Sequence, residues 1–268
     1  MMRKIAATMM LVLVAGIAGA QTSALTVAPR PHFDAFDVAT VKPVESYAKA
    51  GRFFKMEGQN RWIATNFTLK NLIALAYDLN PRTISGGPSW VDSQQFNIEA
   101  ITPGDVRPIR LEQMQMLRAL LVERFKLTFH RQQKEFSIYE LTVAKNGPKL
   151  NAAAKPDDPP QLIGIVYPGK IEVPATSVTM DDFVAMLQRA TLDRPTLNKT
   201  GLTGKYDFNL VWAQDESQYG GEIAKAPEDA QNPPLFTAIQ EQLGLKLEPT
   251  HGMVAALVID NADHPLSN

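Results

Sequence analysis

Ala64-Thr65-Asn66-Phe67-Thr68-Leu69 and Ala175-Thr176-Ser177-Val178-Thr179-Met180 are two versions of one hexamer, set 111 residues apart (179 minus 68). Downstream of each, the apolar pattern also matches: Leu72, Ile73, Ala74 and Leu75 against Phe183, Val184, Ala185 and Met186. An aromatic strand pattern follows in each part, Phe96-Asn97-Ile98 and Phe208-Asn209-Leu210, now 112 residues apart. Then come a helical stripe, Phe125-Lys126-Leu127 or Leu245-Lys246-Leu247, and a last strand, Ile138 to Ala144 or Val254 to Ile259. Self-similarity in one order is the signature of an internal duplication. It predicts architecture and carries no chemistry.

The pattern around the hexamers sets the expected fold. Thr68 and Thr179 stand where a helix N-cap belongs, since a threonine oxygen can accept an otherwise orphaned N–H of the first turn. Leu69, Leu72, Ile73 and Ala76 then share one helical face. Met114, Leu117, Leu120 and Leu121 do the same in a helix predicted over 111–125, and Leu235, Phe236, Ile239 and Leu243 in one stopped by Gly244. Strands are expected at 36–42, 52–56, 61–65, 95–100, 127–130 and 136–144, and again at 162–166, 170–173, 206–212, 246–248 and 254–260. A second Thr-capped helix is expected over 180–190. Strands and helices so interspersed favour an α+β fold. The specific expectation is two tandem, internally duplicated small domains, 36–144 and 162–260, each with two helices packed on a largely antiparallel sheet. Residues 145–161, with Pro148, Pro156, Pro159 and Pro160 and few large apolar residues, read as the linker between them. Residues 213–234, acidic and rich in Gly and Pro, read as a mobile loop.

The ends read as processing and tail segments. Arg3 and Lys4 precede the apolar run Ile5 to Ile17, and Ala18-Gly19-Ala20 is a small-x-small cleavage site before Gln21. This is the form of a secretory signal peptide over 1–20, followed by a flexible leader at 21–35 and closed by a tail at 261–268. The run is shorter than the ~20 residues a membrane span needs, so no stable membrane insertion is expected after cleavage. Localisation is expected to be periplasmic or extracellular. The chain has no cysteine, so neither disulfides nor thiolate metal sites are available. Loss of Arg3 and Lys4 leaves a mature charge of 25 − 28 = −3. That balance gives no electrostatic reason to expect nucleic acid or an anionic membrane as a partner.

The search for chemistry returns little. The histidines are His32, His130, His251 and His264, with no H-E-x-x-H spacing. His130 and His251 follow corresponding strands, either as a pair meeting between the halves or as two exposed strand-end residues. There is no G-x-S-x-G or S-x-x-K motif. Asp157-Asp158 falls in the linker and Asp181-Asp182 opens a helix, where the dipole favours negative charge. Gly201 and Gly204, in Asn198 to Phe208, read as a structural turn, with a backbone anion cradle as the other reading. Gly86 and Gly87 occupy the corresponding place in the first half. Trp62, Trp90 and Trp212 are the candidate ligand-binding residues if they line a groove, and ordinary core residues otherwise. No metal site and no cofactor is expected.

Several stretches are distinctive together: Phe36-Asp37-Val38-Ala39-Thr40-Val41-Lys42-Pro43, Gly86-Gly87-Pro88-Ser89-Trp90, Glu123-Arg124-Phe125-Lys126-Leu127, Val143 to Leu150, Lys199 to Phe208, and Leu235 to Glu248. In these the chain resembles an uncharacterised secreted family expanded in acidobacteria and other soil bacteria. Relatives that carry the domain beside an antibiotic-sensor-type membrane metallopeptidase imply an envelope sensing role. The family supplies no catalytic residues to carry over. Each Thr-capped helix between strands also resembles the small N-terminal domain of secretins and TonB receptors, a periplasmic interaction module. The expected function is an exported, non-catalytic binding or protein-interaction module of the cell envelope. Its partner would be an unknown envelope protein or small ligand. The alternative is a secreted hydrolase with a site built from Asp, Glu and His in the cleft between the halves.

Overall fold

The two hexamers end strands by the same local device. In the computed structural model, which describes residues 30–44, 51–216, 218, 224–228 and 230–265, β3 (Arg61–Thr68) pairs antiparallel with β5 (Gln95–Ile101), and the ladder slips between Ala64 and Phe67. Asn66 takes a left-handed backbone, φ 61°, at this bulge, a conformation Asn tolerates better than most residues. Its N–H donates to Asn97 Oδ1 at 3.0 Å. Thr68 is then extended, and its hydroxyl accepts the N–H of Asn71, opening α1 (Leu69–Tyr77). The second hexamer ends β10 (Lys170–Val178), whose ladder to β12 (Tyr206–Trp212) slips between Ala175 and Val178. Ser177 has φ 58°, and its N–H donates to Asp207 Oδ1 at 2.8 Å. Thr179 caps α3 (Met180–Met186) in a capping box with Asp182. Such a bulge turns the strand end, so that the helix starts back over its own sheet.

The ladders correct the expected alignment of the aromatic strands. Ala64 faces Ile98 and Ala175 faces Phe208, so the corresponding strand positions are 110 residues apart (208 minus 98), not 112. A slip of two residues keeps every side chain on its own face. The apolar pattern therefore could not reveal the error.

The fold is mixed α+β, with four α-helices among the described residues, several sheets and mostly strand. All these elements lie in one compact unit, Pro31–Asn268. In the first sheet β1 (Val38–Pro43), β5, β3 and β2 (Phe53–Glu57) lie in that order, all antiparallel. Its buried cluster joins Trp62, Ile98, Leu72 and Ile73 to Leu117, Leu121 and Phe125 of α2 (Arg110–Phe125). In the second sheet β12 lies between β7 (Asn151–Ala152) and β10, with β8 (Gln161–Leu162) and β9 (Ile165–Tyr167) on the far edge of β10. Its cluster joins Ile171, Val173, Leu210 and Trp212 to Phe183 and to Ile239 and Leu243 of α4 (Leu235–Leu243). Each large apolar side chain so buried contributes about 1.5–3 kcal/mol. A cap contributes only ~1 kcal/mol, so the cores carry the stability and the caps set the element ends.

The third sheet joins distant parts of the chain, in the order β11 (Thr196–Asn198), β6 (Thr128–Val143), β13 (Leu245–Asn261), β4 (Ile84–Gly86). The long strands run antiparallel from Leu245↔Val143 to Asn261↔Thr128. β4 lies parallel to β13, and β11 parallel to β6. The polar run 130–135 therefore belongs to a continuous strand, where a break had been expected, because β13 supplies backbone partners along its whole length. β13 likewise bridges the expected gap at 249–253. Pro249, which has no N–H to donate, faces Tyr139, whose own N–H turns away to Pro195 O at 2.9 Å.

Two other expectations change. The helix over 180–190 is α-helical only to Met186, and then runs as a π-helical turn, Leu187–Thr191. The stretch read as a linker holds β7, and Lys149 N–H donates to Leu243 O at 2.8 Å. Of the stretch 213–234, residues 217, 219–223 and 229 lie outside the described residues, as do the signal-peptide reading over 1–20, most of the leader and the last three residues of the tail. Among the described residues no helix is long and apolar enough to cross a membrane.

Candidate functional site

The three tryptophans do not line one groove. Trp62 is fully buried in the first core, its ring 5.5 Å from Phe36 and 6.3 Å from Phe54. Trp212 is fully buried in the second core, and its Nε1–H donates to Gln218 Oε1 at 2.9 Å. Trp90 is half-buried in a 3₁₀ turn, stacked 4.1 Å from His264 on one side and 6.4 Å from Phe125. A ligand reaches the first two rings only if a core opens.

The glycines serve the backbone. Gly86 has φ +82°, and a Cβ there would sit 2.6 Å from Ile259 O, so the parallel approach of β4 to β13 requires glycine. Gly87 has φ +73° and Gly201 φ +69°, whereas Gly204 lies outside the left-handed region. In the loop around Gly201, Asn198 Oδ1 accepts the N–H of Thr200, and Thr200 Oγ1 accepts that of Leu202. Those two donors are thus turned inward.

The polar pairs are also apart. His130 Nδ1 lies 2.8 Å from Asp260 Oδ1, and His251 Nε2 lies 3.2 Å from Ser137 Oγ. His130 faces Val258 and His251 faces Ser137 on the same ribbon. Seven strand positions separate the two, about 23 Å at ~3.3 Å per residue. Asp182 is taken up by its capping box and Asp181 accepts from Asn198 Nδ2 at 2.7 Å. Asp157 and Asp158 are exposed. Among the described residues no group of three or more His, Cys, Asp or Glu side chains could hold a metal ion.

Among the described residues, one polar constellation carries no local sequence signal. It lies where the end of α1 meets the π-helical turn. Asp78, left-handed at φ 52°, ends α1, and its Oδ1 accepts from Arg110 Nη2 at 2.5 Å and Arg189 Nη1 at 3.0 Å. Gln188 Nε2 donates to Asp78 O at 2.8 Å. Asn80, 2% exposed, donates from Nδ2 to Gln188 O at 2.7 Å and Leu192 O at 3.1 Å. Tyr77 has Arg118 and Arg131 over its ring at 5.3 and 5.8 Å and Phe129 against its edge at 5.1 Å. Burial pushes its phenol pKa up, while the two arginines pull it back. Tyr139 has Arg194 over its ring at 5.1 Å and donates to Asp193 Oδ1 at 3.1 Å. Burial, then the Asp193 charge, raise its pKa, and Arg194 and Arg82 oppose them. No local pattern marks these residues, because their partners lie 30 to more than 100 positions away.

Two clefts lie elsewhere on the described surface. One of about 290 Å³ is lined by Phe36, Val38, Leu120, Glu123 and Arg124, and one of about 340 Å³ by Phe236, Gln240, Glu241 and Lys246. More distinctive is the edge of the second sheet. Ile163 is 65% exposed and Val166 47%, and Ile165 and Tyr167 are also exposed. β9 pairs with β10 from Lys170↔Tyr167 to Glu172↔Ile165, and the two are joined through Pro168-Gly169, with Gly169 at φ +81°.

No curated protein and no solved structure matches the chain. A family model does match, over residues 70–262, from α1 to the end of β13. The chain therefore belongs to the family described as "Protein of unknown function (DUF3738)".

Proposed function

We propose that this chain is an exported, non-catalytic binding module of the cell envelope, which takes an extended partner segment along the open edge of its second sheet. The observation that carries the reading is the run Leu162 to Tyr167. It is uncharged and apolar, and both faces of β9 are exposed. Natural sheet edges are usually blunted by lysine, proline or a covering element. Pro168 closes the run at one end, Pro160 stands before Gln161 at the other, and the Lys170 ammonium lies 4.8 Å over the Tyr167 ring, so the uncovered stretch is Ile163 to Val166. An added strand would satisfy outward backbone groups and cover Ile165 and Val166, which is the mode of strand addition.

The wider reading rests on separate supports. Export is supported by the basic, apolar and small-residue order of residues 3–20. A sensing role rests on the resemblance to envelope-associated relatives alone. Duplication of one α+β unit, two helices on a sheet, over 36–144 and 162–260 is supported by the paired bulges at Asn66 and Ser177 and the paired Thr caps. It is further supported by the left-handed C-caps Lys126 and Gly244.

The test places a photoreactive amino acid at Val166 of the protein expressed in its own host, and at Val122, exposed on α2, as control. A discrete adduct from position 166, absent from 122 and lost with Ile165→Lys, is expected. No adduct at 166, or equal adducts from both, refutes strand addition. Intact mass of the same exported protein should lack Met1 to Ala20.

A further inference from the structure

The long strand β6 reaches well past β11, and the first part of it is left with one edge unpaired. β11 lies beside it only from Tyr139 to Leu141, while β13 occupies the other edge throughout. Tyr139 N–H donates to Pro195 O, and Leu141 O accepts from Lys199 N–H, so the odd-numbered residues turn their backbone groups away from β13. The ladder to β13 runs without a slip from Phe129 to Val143. Arg131, Gln133, Glu135 and Ser137 therefore present their backbone groups to the same side. No described strand lies there. Every residue from Arg131 to Glu135 is exposed.

This edge reads Arg131-Gln132-Gln133-Lys134-Glu135. Charge on an edge strand ordinarily keeps other strands away. The order of these charges makes an exception of the edge itself. Two copies laid antiparallel about a two-fold axis through Gln133 set Arg131 of each against Glu135 of the other. Lys134 then faces Gln132, and Gln133 faces its own copy, so no like charges stand opposite one another. The parity agrees as well: Arg131, Gln133 and Glu135 all turn outward and would form the hydrogen-bonded pairs of the new ladder. Arg131 and Glu135 share one face of the ribbon, where the Arg131 guanidinium rests 5.8 Å over the Tyr77 ring. Neither forms an ion pair with a described residue. The free stretch of β13 lacks this match, since Pro249 has no N–H to donate.

We propose that β6 pairs with β6 of a second copy of this chain, centred on Gln133, and joins the two four-stranded sheets edge to edge. The contact is distinct from the β9 edge and does not depend on strand addition there. It covers few residues, so a weak, concentration-dependent dimer is expected. Sedimentation equilibrium of the mature protein from about 1 μM to about 1 mM measures it. Arg131→Glu and Glu135→Arg should each weaken the dimer at least about tenfold, because each turns two attractions across the axis into repulsions. The double variant, Arg131→Glu with Glu135→Arg, is again self-complementary and should recover to within about threefold of the unaltered protein. A role for Arg131 confined to its contact with Tyr77 predicts no such recovery. Urea midpoints confirm that the variants fold.

The chain has no cysteine, so single cysteines read the register directly. Gln133→Cys sets two thiols across the axis with Cα atoms about 5.5 Å apart, within disulfide reach, and should give a covalent dimer under mild oxidation. Lys134→Cys stands diagonal to its own copy, about 7–8 Å away, and should not. A monomer throughout the concentration range, charge reversals without effect, no recovery in the double variant, or equal cross-linking at 133 and 134 overturns the proposal. A dimer that survives the charge reversals and is lost with Ile165→Lys places the second copy on the β9 edge and overturns it equally.

Discussion

Replacing Asn80 by alanine should be among the most damaging single changes in the protein, although no core side chain is touched. The Asn80 side chain is buried and makes three bonds: Nδ2 donates to Gln188 O and Leu192 O, and Oδ1 accepts from Arg82 N–H at 3.0 Å. Truncation leaves two carbonyls and one N–H without partners at a packed junction. An orphaned buried polar group costs about 1–3 kcal/mol. Allowing some relaxation at the half-buried Gln188, the total is about 3–5 kcal/mol, a large share of the ~5–15 kcal/mol that holds a domain. For a chain of this size the melting temperature should fall by about 10 °C or more. Urea unfolding measures the loss directly, as a shift of midpoint with the slope unchanged.

Asn80→Asp supplies the diagnostic. It keeps the acceptor for Arg82 but turns a carboxylate oxygen toward two carbonyls, so its folded-state pKa is raised above the unfolded value. A raised carboxyl pKa means stability that is present below the unfolded pKa and lost as pH rises through the folded one. Asn80→Asp should therefore be less stable than Asn80→Ala at neutral pH and recover in acid. A loss below ~1 kcal/mol for Asn80→Ala, together with a pH-independent Asn80→Asp, would refute the assignment of this residue as the tie across the junction.

Two further outcomes follow from backbone and charge. Gly244 ends α4 at φ +64°, and a Cβ there would overlap Gly147 O and approach Lys149 N to 2.8 Å, so Gly244→Ala should cost more than ~2 kcal/mol. Lys126 ends α2 at φ 49°, and Lys126→Gly should be neutral or stabilising by up to ~1 kcal/mol; equal urea midpoints for the two variants would refute this contrast. Asp207 accepts the N–H groups of Ala154 and Ser177, which hold its carboxyl below the usual range. Its contribution is present above the unfolded pKa and lost as pH falls through the folded one. The urea-midpoint gap between the protein and Asp207→Asn should thus be wide at neutral pH and narrow as pH falls below the ordinary carboxylate range; an unchanged gap would show that the carboxylate charge plays no part.

What was legible in the sequence is what local chemistry determines. Thr68 and Thr179 marked helix starts because a cap acts within three residues. The stripe Met114, Leu117, Leu120, Leu121 marked a buried helix face, because burial repeats with the helical turn. Gly86 and Gly201 marked left-handed turns for the same local reason. The tertiary structure decided what depends on pairing between distant residues. The polar run 130–135 became strand only because β13 lies beside it. The strand alignment was off by two because a two-residue slip leaves the alternation of faces unchanged. The junction of Asp78, Asn80 and the arginines had no sequence signal, since each contact joins segments far apart in the chain. The exposure of Ile165 and Val166 was equally hidden: an apolar strand reads the same whether its neighbours cover it or leave it at an edge.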